Sequence, residues 1–436
     1  MAAAATNNSD LVHCTPVHLV KLLVVGLRWS GRHGRHRFSR ASSFLGGPLS
    51  NHQQVLGTLI RYFKENTTHL ADSELRVPTS HFTDDEHAAR ELALMRTVPV
   101  VVAHHSELPD PGSFVTRDVL GTPLLIVRQR DGSVGASINI CKHRGGRVEV
   151  CEAGKKRAFT CSYHGWTYDR DGSLRHIPYA QFFEPLDRLE HGLAQVHTEE
   201  RHGLVWVTLD PGEKPQTVAE YLGADMEERF REFNYEKSLL VLDKQFTVPV
   251  NWKLVVDGAV DSLHPKFLHP YGVGKLISTN TCVVESSGLH MQSFTPRMRL
   301  EKAVEAGEED QVEGFYKHVG SSMFVFPNVN AAITPHHIEF WTTWPSSHSP
   351  SECTIHIRFL ADPDTYDEKM AERIAKSWEI LEEAATKEDW PMEETIQANA
   401  LAVSGVYIYG RNEAGPQHLH RQLARKLAES EAGQPA

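Results

Sequence analysis

No stretch of this 436-residue sequence is apolar for long enough to cross a bilayer; the best candidate, Leu19–Leu27, is far too short and is interrupted by Lys21. No membrane-spanning helix is therefore expected. Cysteine is scarce, six residues in all, and Cys14, Cys141, Cys151, Cys161, Cys282 and Cys353 lack the spacing of a disulfide framework. That scarcity points to a reducing cytoplasm. There is no excess of positive charge either. The formal net charge of −11 argues against nucleic acid or anionic membrane as partner. No internal repeat is present. One absence is local: between Leu11 and Lys64 there is no Asp or Glu, while Lys21, Arg28, Arg32, Arg35, Arg37, Arg40, Arg61 and Lys64 are basic. An organelle transit peptide has that profile. A start codon assigned too early, with translation beginning near Val55, accounts for it better, because residues 11–50 show no clean amphipathic helix. Residues 1–70 are expected to be a disordered extension outside the fold.

What the chain does have is two cysteine–histidine pairs, Cys141-Lys142-His143 and Cys161-Ser162-Tyr163-His164, in the pattern C-x-H-x17-C-x2-H. Two thiolates and two imidazoles are the ligand set of a Rieske 2Fe–2S centre, in which Cys holds one iron and His the other. Zinc accepts the same four ligands, but its sites usually pair like with like, C-x2-4-C or H-x3-5-H. Here each loop supplies one of each. Gly145-Gly146 and Gly165 allow the tight turns behind the histidines. Cys151, between the loops, reads as a buried structural thiol and not a ligand.

The surrounding text predicts α+β architecture. Thr83–Arg96 reads as a short helix in a lead-in region over 71–97. From 98 to 212 the pattern is antiparallel β. Apolar runs at Val98–Ala103, Thr122–Arg128, Ser137–Ile140 and Leu204–Leu209 are separated by turns such as Asp131-Gly132 and Asp171-Gly172. After Pro211–Pro215 a second domain, 213–430, begins with a helix over Val218–Tyr235. It continues with strands at Asp243–Val250, Cys282–Gly288, Met323–Phe326, Ile338–Trp344 and Cys353–Leu360. An amphipathic helix covers Tyr366 to Glu388, and a basic helix His418 to Leu427.

A second metal motif lies in Asp261-Ser262-Leu263-His264-Pro265-Lys266-Phe267-Leu268-His269. Asp261 and His264 share a helix face. His264 and His269 are about 140° apart on an ideal helix, so they converge only where the helix breaks, and Pro265 is expected to supply the break. Two imidazoles and one carboxylate make the facial triad of a non-heme Fe(II) oxygenase, with the opposite positions open for O2 and substrate. The spacing alone is weak in a chain with 26 His; beside a one-electron donor it gains force. Spacing does not place the carboxylate. Asp389, before Trp390-Pro391, is the first choice and Glu388 the next. Val256, Leu263, Phe267 and Phe324 are candidate pocket walls.

From about Arg76 to Leu427 the chain resembles the large (α) subunit of the Rieske non-heme iron ring-hydroxylating oxygenases. The resemblance rests on Cys141-Lys142-His143-Arg144-Gly145, Cys161-Ser162-Tyr163-His164-Gly165-Trp166, Asn251-Trp252-Lys253 and the Asp261/His264/His269 run, with fainter echoes at Phe326-Pro327-Asn328, Glu388-Asp389 and the tail at Glu413 and His418–Arg425. It implies an N-terminal antiparallel β Rieske domain followed by a helix-grip catalytic domain of antiparallel sheet plus helices. It also implies one 2Fe–2S cluster on Cys141, His143, Cys161 and His164, and one mononuclear Fe(II) on His264, His269 and Asp389. In such enzymes the subunits form a ring, commonly a homotrimer, with or without a small β subunit. An Asp bridges the cluster of one subunit to the iron of its neighbour, and Asp261 occupies the matching position; a plain helix cap is its alternative role. The pattern departs at Asp257-Gly258, where the family often has Glu-Asn. The expected function is a terminal oxygenase that uses O2 and electrons from NADH or NADPH, delivered by a reductase and/or ferredoxin, to hydroxylate or dihydroxylate an apolar small molecule, as in aromatic hydrocarbon catabolism. A Rieske monooxygenase or O- or N-demethylase, a pure Rieske electron carrier, and a zinc-stabilised binding module are the rivals.

Overall fold

The computed structural model describes residues 52–278 and 281–432, in two compact units. Over the described residues the smaller unit comprises Leu108–Arg117 and Pro123–Gln195, and the larger one the remainder. The transit-peptide and start-codon expectations for residues 1–51 lie outside the described residues.

The smaller unit is built from short antiparallel strands. Thr122–Arg128 pairs with Val134–Ile138, and Ser113–Val119 with Ala153–Lys155. A three-stranded sheet follows, Ala158–Thr160, Thr167–Asp169 and Leu174–His176. The predicted turns form as Asx turns: Asp131 accepts from the backbone and hydroxyl of Ser133, and Asp171 does the same for Ser173. Phe114, Phe159, Tyr168 and Trp166 fill the core around Cys141 and Cys161. Cys151 is buried in this core, as expected, but it is disulfide-bonded and not a free thiol.

In the larger unit a seven-stranded antiparallel sheet runs in the order Leu239–Val248, Cys353–Ala361, Ile338–Pro345, Val329–Ile333, Val319–Val325, His290–Pro296, Val283–Ser287. The helix Trp252–Val260 lies against its middle strands and is buried along most of its length, which explains the uninterrupted apolar run at Leu254–Val256. The C-terminal helix Ala414–Ala432 packs on that helix and on Asp85–Arg96. Asp84 caps the latter, its carboxylate accepting from the His87 backbone N–H. Val100–His104, Gln195–Arg201 and Leu204–Thr208 pair within this unit as well.

Residues 52–70 correct one expectation. His52–Lys64 is a helix whose Val55 and Leu59 are buried against Phe294, Leu300 and Val319, so this part of the presumed extension belongs to the packed core. The run His52–Lys64 is amphipathic, and the absence of acidic residues obscured it.

Candidate functional site

The two cysteine–histidine loops are near copies of one another. Cys141 N–H donates to Gly146 O and Gly145 N–H to Cys141 O; Cys161 N–H donates to Trp166 O and Gly165 N–H to Cys161 O. Each loop closes through a glycine with positive φ, +75° at Gly145 and +73° at Gly165, where an L side chain would be strained. This geometry brings the two imidazoles together and the two thiols together. The His143 and His164 rings stand 4.5 Å apart, nearly perpendicular. His143 stacks on Trp166 at 5.1 Å, which fixes its ring plane. Tyr168, for which the sequence offered no signal, donates or accepts at Cys141 Sγ (3.3 Å) and accepts from Lys142 N–H (3.0 Å).

A 2Fe–2S cluster fits this donor set. His143 Nδ1 is buried and has no hydrogen-bond partner in the protein, the state expected of a nitrogen kept for a metal. Cys141 and Cys161 are free, buried and close enough to hydrogen-bond. Burial pushes the Cys161 thiol above its ordinary value, so paired thiolates here need compensating cations.

The second constellation forms where three helical segments meet. Trp252–Val260 ends at Asp261, whose carboxylate accepts from the backbone N–H of Leu263 (2.8 Å) and of His264 (3.0 Å). A single helical turn, Pro265–Leu268, separates His264 from His269. Pro265 opens this turn and does not break it, contrary to expectation: the bond from His269 N–H to Pro265 O is intact at 3.1 Å, and the proline ring needs no N–H at that position. The imidazoles converge because each sits at an end of the short helix, where the backbone leaves helical geometry after His269 (φ −113°, ψ 48°). The rings are 5.3 Å apart and 79° inclined.

The carboxylate comes from a continuous helical stretch, Glu368–Ala402, interrupted by one π-helical turn at Ala385–Asp389. Such turns re-aim side chains and often mark functional positions. Asp389 Oδ1 lies 3.0 Å from His269 Nε2 and 3.6 Å from His264 Nε2. Two ligands about 2.1 Å from one ion at right angles would be about 3 Å apart, so the spacing suits a shared metal. The ligand atoms of all three residues lie within 4.8 Å of one another. Glu388 does not join them. Its Oε2 sits 2.6 Å from His269 Nδ1, on the opposite edge of the ring. Asp261 Oδ2 holds the equivalent place on His264, 3.1 Å from Nδ1. Each imidazole thus has a carboxylate behind it, which orients the ring and raises its basicity. Burial works to raise the Asp261 carboxyl, but the hydrogen bonds from His264 outweigh it and hold the group below its usual value. At His269 burial works to lower the imidazole, and Asp389 and Glu388 together hold it above its ordinary value.

Of the expected pocket walls, Val256 and Phe324 are buried. Phe267 is not: its side chain is 72% exposed, and Tyr271 beyond it is 85% exposed.

Comparisons with known proteins match the two regions of the chain that carry these constellations. The family model for the Rieske [2Fe-2S] domain matches residues 98–187, and that for the ring hydroxylating alpha subunit (catalytic domain) matches residues 224–429. Benzene 1,2-dioxygenase subunit alpha of Pseudomonas putida is 28% identical over 258 residues, 58% of this chain and 54% of that protein. The carnitine monooxygenase oxygenase subunit of Escherichia coli is 33% identical over 174 residues, 39% of this chain and 46% of the other. The chain therefore spans about half the length of these relatives. Among solved structures, naphthalene 1,2-dioxygenase from Rhodococcus sp. superposes with a TM-score of 0.67 at 18% identity, covering 88% of this chain and 99% of that one. A quaternary ammonium Rieske monooxygenase with bound L-carnitine gives 0.67 at 19% identity, covering 84% and 98%. The Rieske fold followed by a helix-and-antiparallel-sheet catalytic fold is thus shared with both, and two stretches of this chain match, in order, the Rieske domain and the catalytic domain of ring-hydroxylating oxygenase alpha subunits.

Proposed function

We propose that this chain is the terminal oxygenase component of a multicomponent system that hydroxylates an apolar small molecule, with cis-dihydroxylation of an aromatic ring as the first reading. The observation that carries it is the convergence of His264, His269 and Asp389 in a chain that also holds the Cys141/His143/Cys161/His164 set. When bound, the 2Fe–2S cluster supplies single electrons and the mononuclear iron supplies O2 activation.

The protein's own residues do the rest. His264 and His269 present Nε2 because Asp261 and Glu388 occupy Nδ1. Asp389 supplies one negative oxygen between them. Asp261, held by two backbone N–H groups, couples the proton on His264 Nδ1 to the charge beyond it. In a trimer this carboxylate would meet a cluster-ligand imidazole of the neighbouring subunit. Exposed apolar side chains beside both constellations support such a ring: Tyr163 and Phe182 near the cluster loops, Phe267 and Tyr271 near the histidine turn. Electrons would come from NADH or NADPH through a reductase and/or ferredoxin. Cys141, Cys161, Cys282 and Cys353 are free while Cys151 is disulfide-bonded, which does not favour the reducing cytoplasm expected from the sequence; no helix among the described residues is long and apolar enough to cross a membrane.

A second reading, monooxygenation or N-demethylation, is favoured by the likeness to the carnitine monooxygenase oxygenase subunit. Product analysis separates the two. The purified protein, a generic reductase and a panel of arenes and methylammonium compounds would be incubated under 18O2. A diol bearing two labelled oxygens supports the first reading. A singly labelled alcohol or an aldehyde supports the second. Reduction of the cluster with no oxygenated product from any substrate, in protein loaded at both sites, would leave only an electron carrier.

A further inference from the structure

Away from the metal constellations, the buried helix Trp252–Val260 carries a charge that this reading does not use. Lys253, wholly buried, donates to Glu91 Oε2 at 2.7 Å; Trp252 Nε1–H donates to the same oxygen at 3.0 Å, and His87 Nε2 lies 2.9 Å from Glu91 Oε1. Above this group is a cavity of about 390 Å3, within the range of small-ligand sites. Its polar lining is Arg76, His81, His87, Lys253, His420 and Arg421, with Glu91 the only acidic group. Val77, Leu423 and Leu427, among others, supply the apolar lining. Lys253 precedes Asp261 by eight residues, about 12 Å along the helix, so the cavity is distinct from the iron constellation.

The charge balance is uneven. Three cations, Arg76, Lys253 and Arg421, line the cavity against one carboxylate. Arg76 is bonded to Glu74 at the surface, and Lys253 to Glu91. Arg421 bonds to neutral oxygens, Gln417 Oε1 at 3.0 Å and Ser73 Oγ at 3.3 Å. His420 is directed to Asp257 at 2.9 Å. The His81 ring stacks on His87 at 4.1 Å, and burial, then the charges of His87 and Lys253, bring its imidazole down to about 4 despite the opposing charge of Glu91. A locally positive cavity in a chain of net charge −11 is not a consequence of composition.

We propose that this cavity binds a small carboxylate with a short apolar tail, its head facing Arg421 and His81 and its tail Val77, Leu423 and Leu427. The test is calorimetric titration of the full-length, metal-loaded protein at neutral pH with hexanoate, 1-hexanol and inorganic phosphate. Saturable hexanoate binding is expected, with hexanol and phosphate at least about tenfold weaker. Arg421→Gln, an exposed position, should weaken hexanoate by about tenfold or more, the loss of one charge-assisted hydrogen bond, with an unchanged circular dichroism spectrum. No saturable hexanoate binding, equal binding of hexanol or of phosphate, or unchanged affinity in Arg421→Gln would each overturn the proposal.

Discussion

Glu388 and Asp389 are adjacent carboxylates that the structure assigns to opposite edges of one imidazole, and removing each should have a different effect. Asp389 faces His269 Nε2 and His264 Nε2; Glu388 faces only His269 Nδ1, at 2.6 Å. A hydrogen bond to a charged group contributes about 1.5–3 kcal/mol. The Glu388 side chain is 30% exposed, and solvent screening reduces that to about 1–2 kcal/mol, or about 5–30-fold in iron affinity. That overlaps the lower part of the range of about 10–100-fold for the loss of an outer-shell partner. Asp389→Ala removes a ligand and should cost more than about 100-fold. Glu388→Gln keeps the shape and should fall between wild type and Glu388→Ala. Iron retained on dialysis against graded chelator reads all three, with the visible spectrum of the 2Fe–2S cluster as the internal control for folding. Wild-type retention in Glu388→Ala, or losses in Glu388→Ala equal to those in Asp389→Ala, would refute the division of roles.

Other consequences are open to measurement. Asp261→Asn should retain both metal centres, yet lose nearly all substrate-coupled oxidation of the reduced cluster in single-turnover kinetics; coupling at the wild-type rate would contradict the bridging role. Leu59→Ala, wholly buried in the helix His52–Lys64, should destabilise the larger unit by about 2–5 kcal/mol in denaturant unfolding, whereas a disordered extension would show no change. Glu227 is bonded by Arg201 and His202, and these partners, acting against burial, hold it down at about 2. Its folded value lies below its unfolded one. Its contribution is therefore complete above about pH 4.5 and is lost as pH falls from there towards 2. After discounting for the half-exposed arginine that contribution is on the order of 1–2 kcal/mol, and Glu227→Gln should flatten this limb of the stability–pH curve.

Much of the site was legible because its chemistry requires particular residue types at particular spacings. The mixed Cys/His loops, the glycines behind them and the Asp261/His264/His269 run each occupy the positions the pattern predicts. Strands with clear apolar runs were equally readable: Thr122–Arg128 and Cys353–Ala361 were placed to within a residue. Others were hidden. His290–Pro296 lies one strand in from the edge of the larger sheet with His290, Gln292 and Ser293 buried and hydrogen-bonded, so no apolar alternation marks it. Gln195–Arg201 is almost wholly polar for its own reason, as a strand half open to solvent. The π-turn at Ala385–Asp389 leaves no mark in the composition, which is why Glu388 and Asp389 could not be told apart before the ring edges were seen. Phe267 was misread since apolar character alone does not say whether a side chain faces a pocket or solvent.

The most direct test of the whole account is the iron, zinc and acid-labile sulfide content of the reconstituted chain, taken beside its His264→Ala variant. The account predicts three irons and two sulfides per chain in the wild type, and two irons with an unchanged cluster spectrum and no turnover in the variant. Two irons in both proteins, or zinc in a colourless and redox-silent wild type, would contradict it.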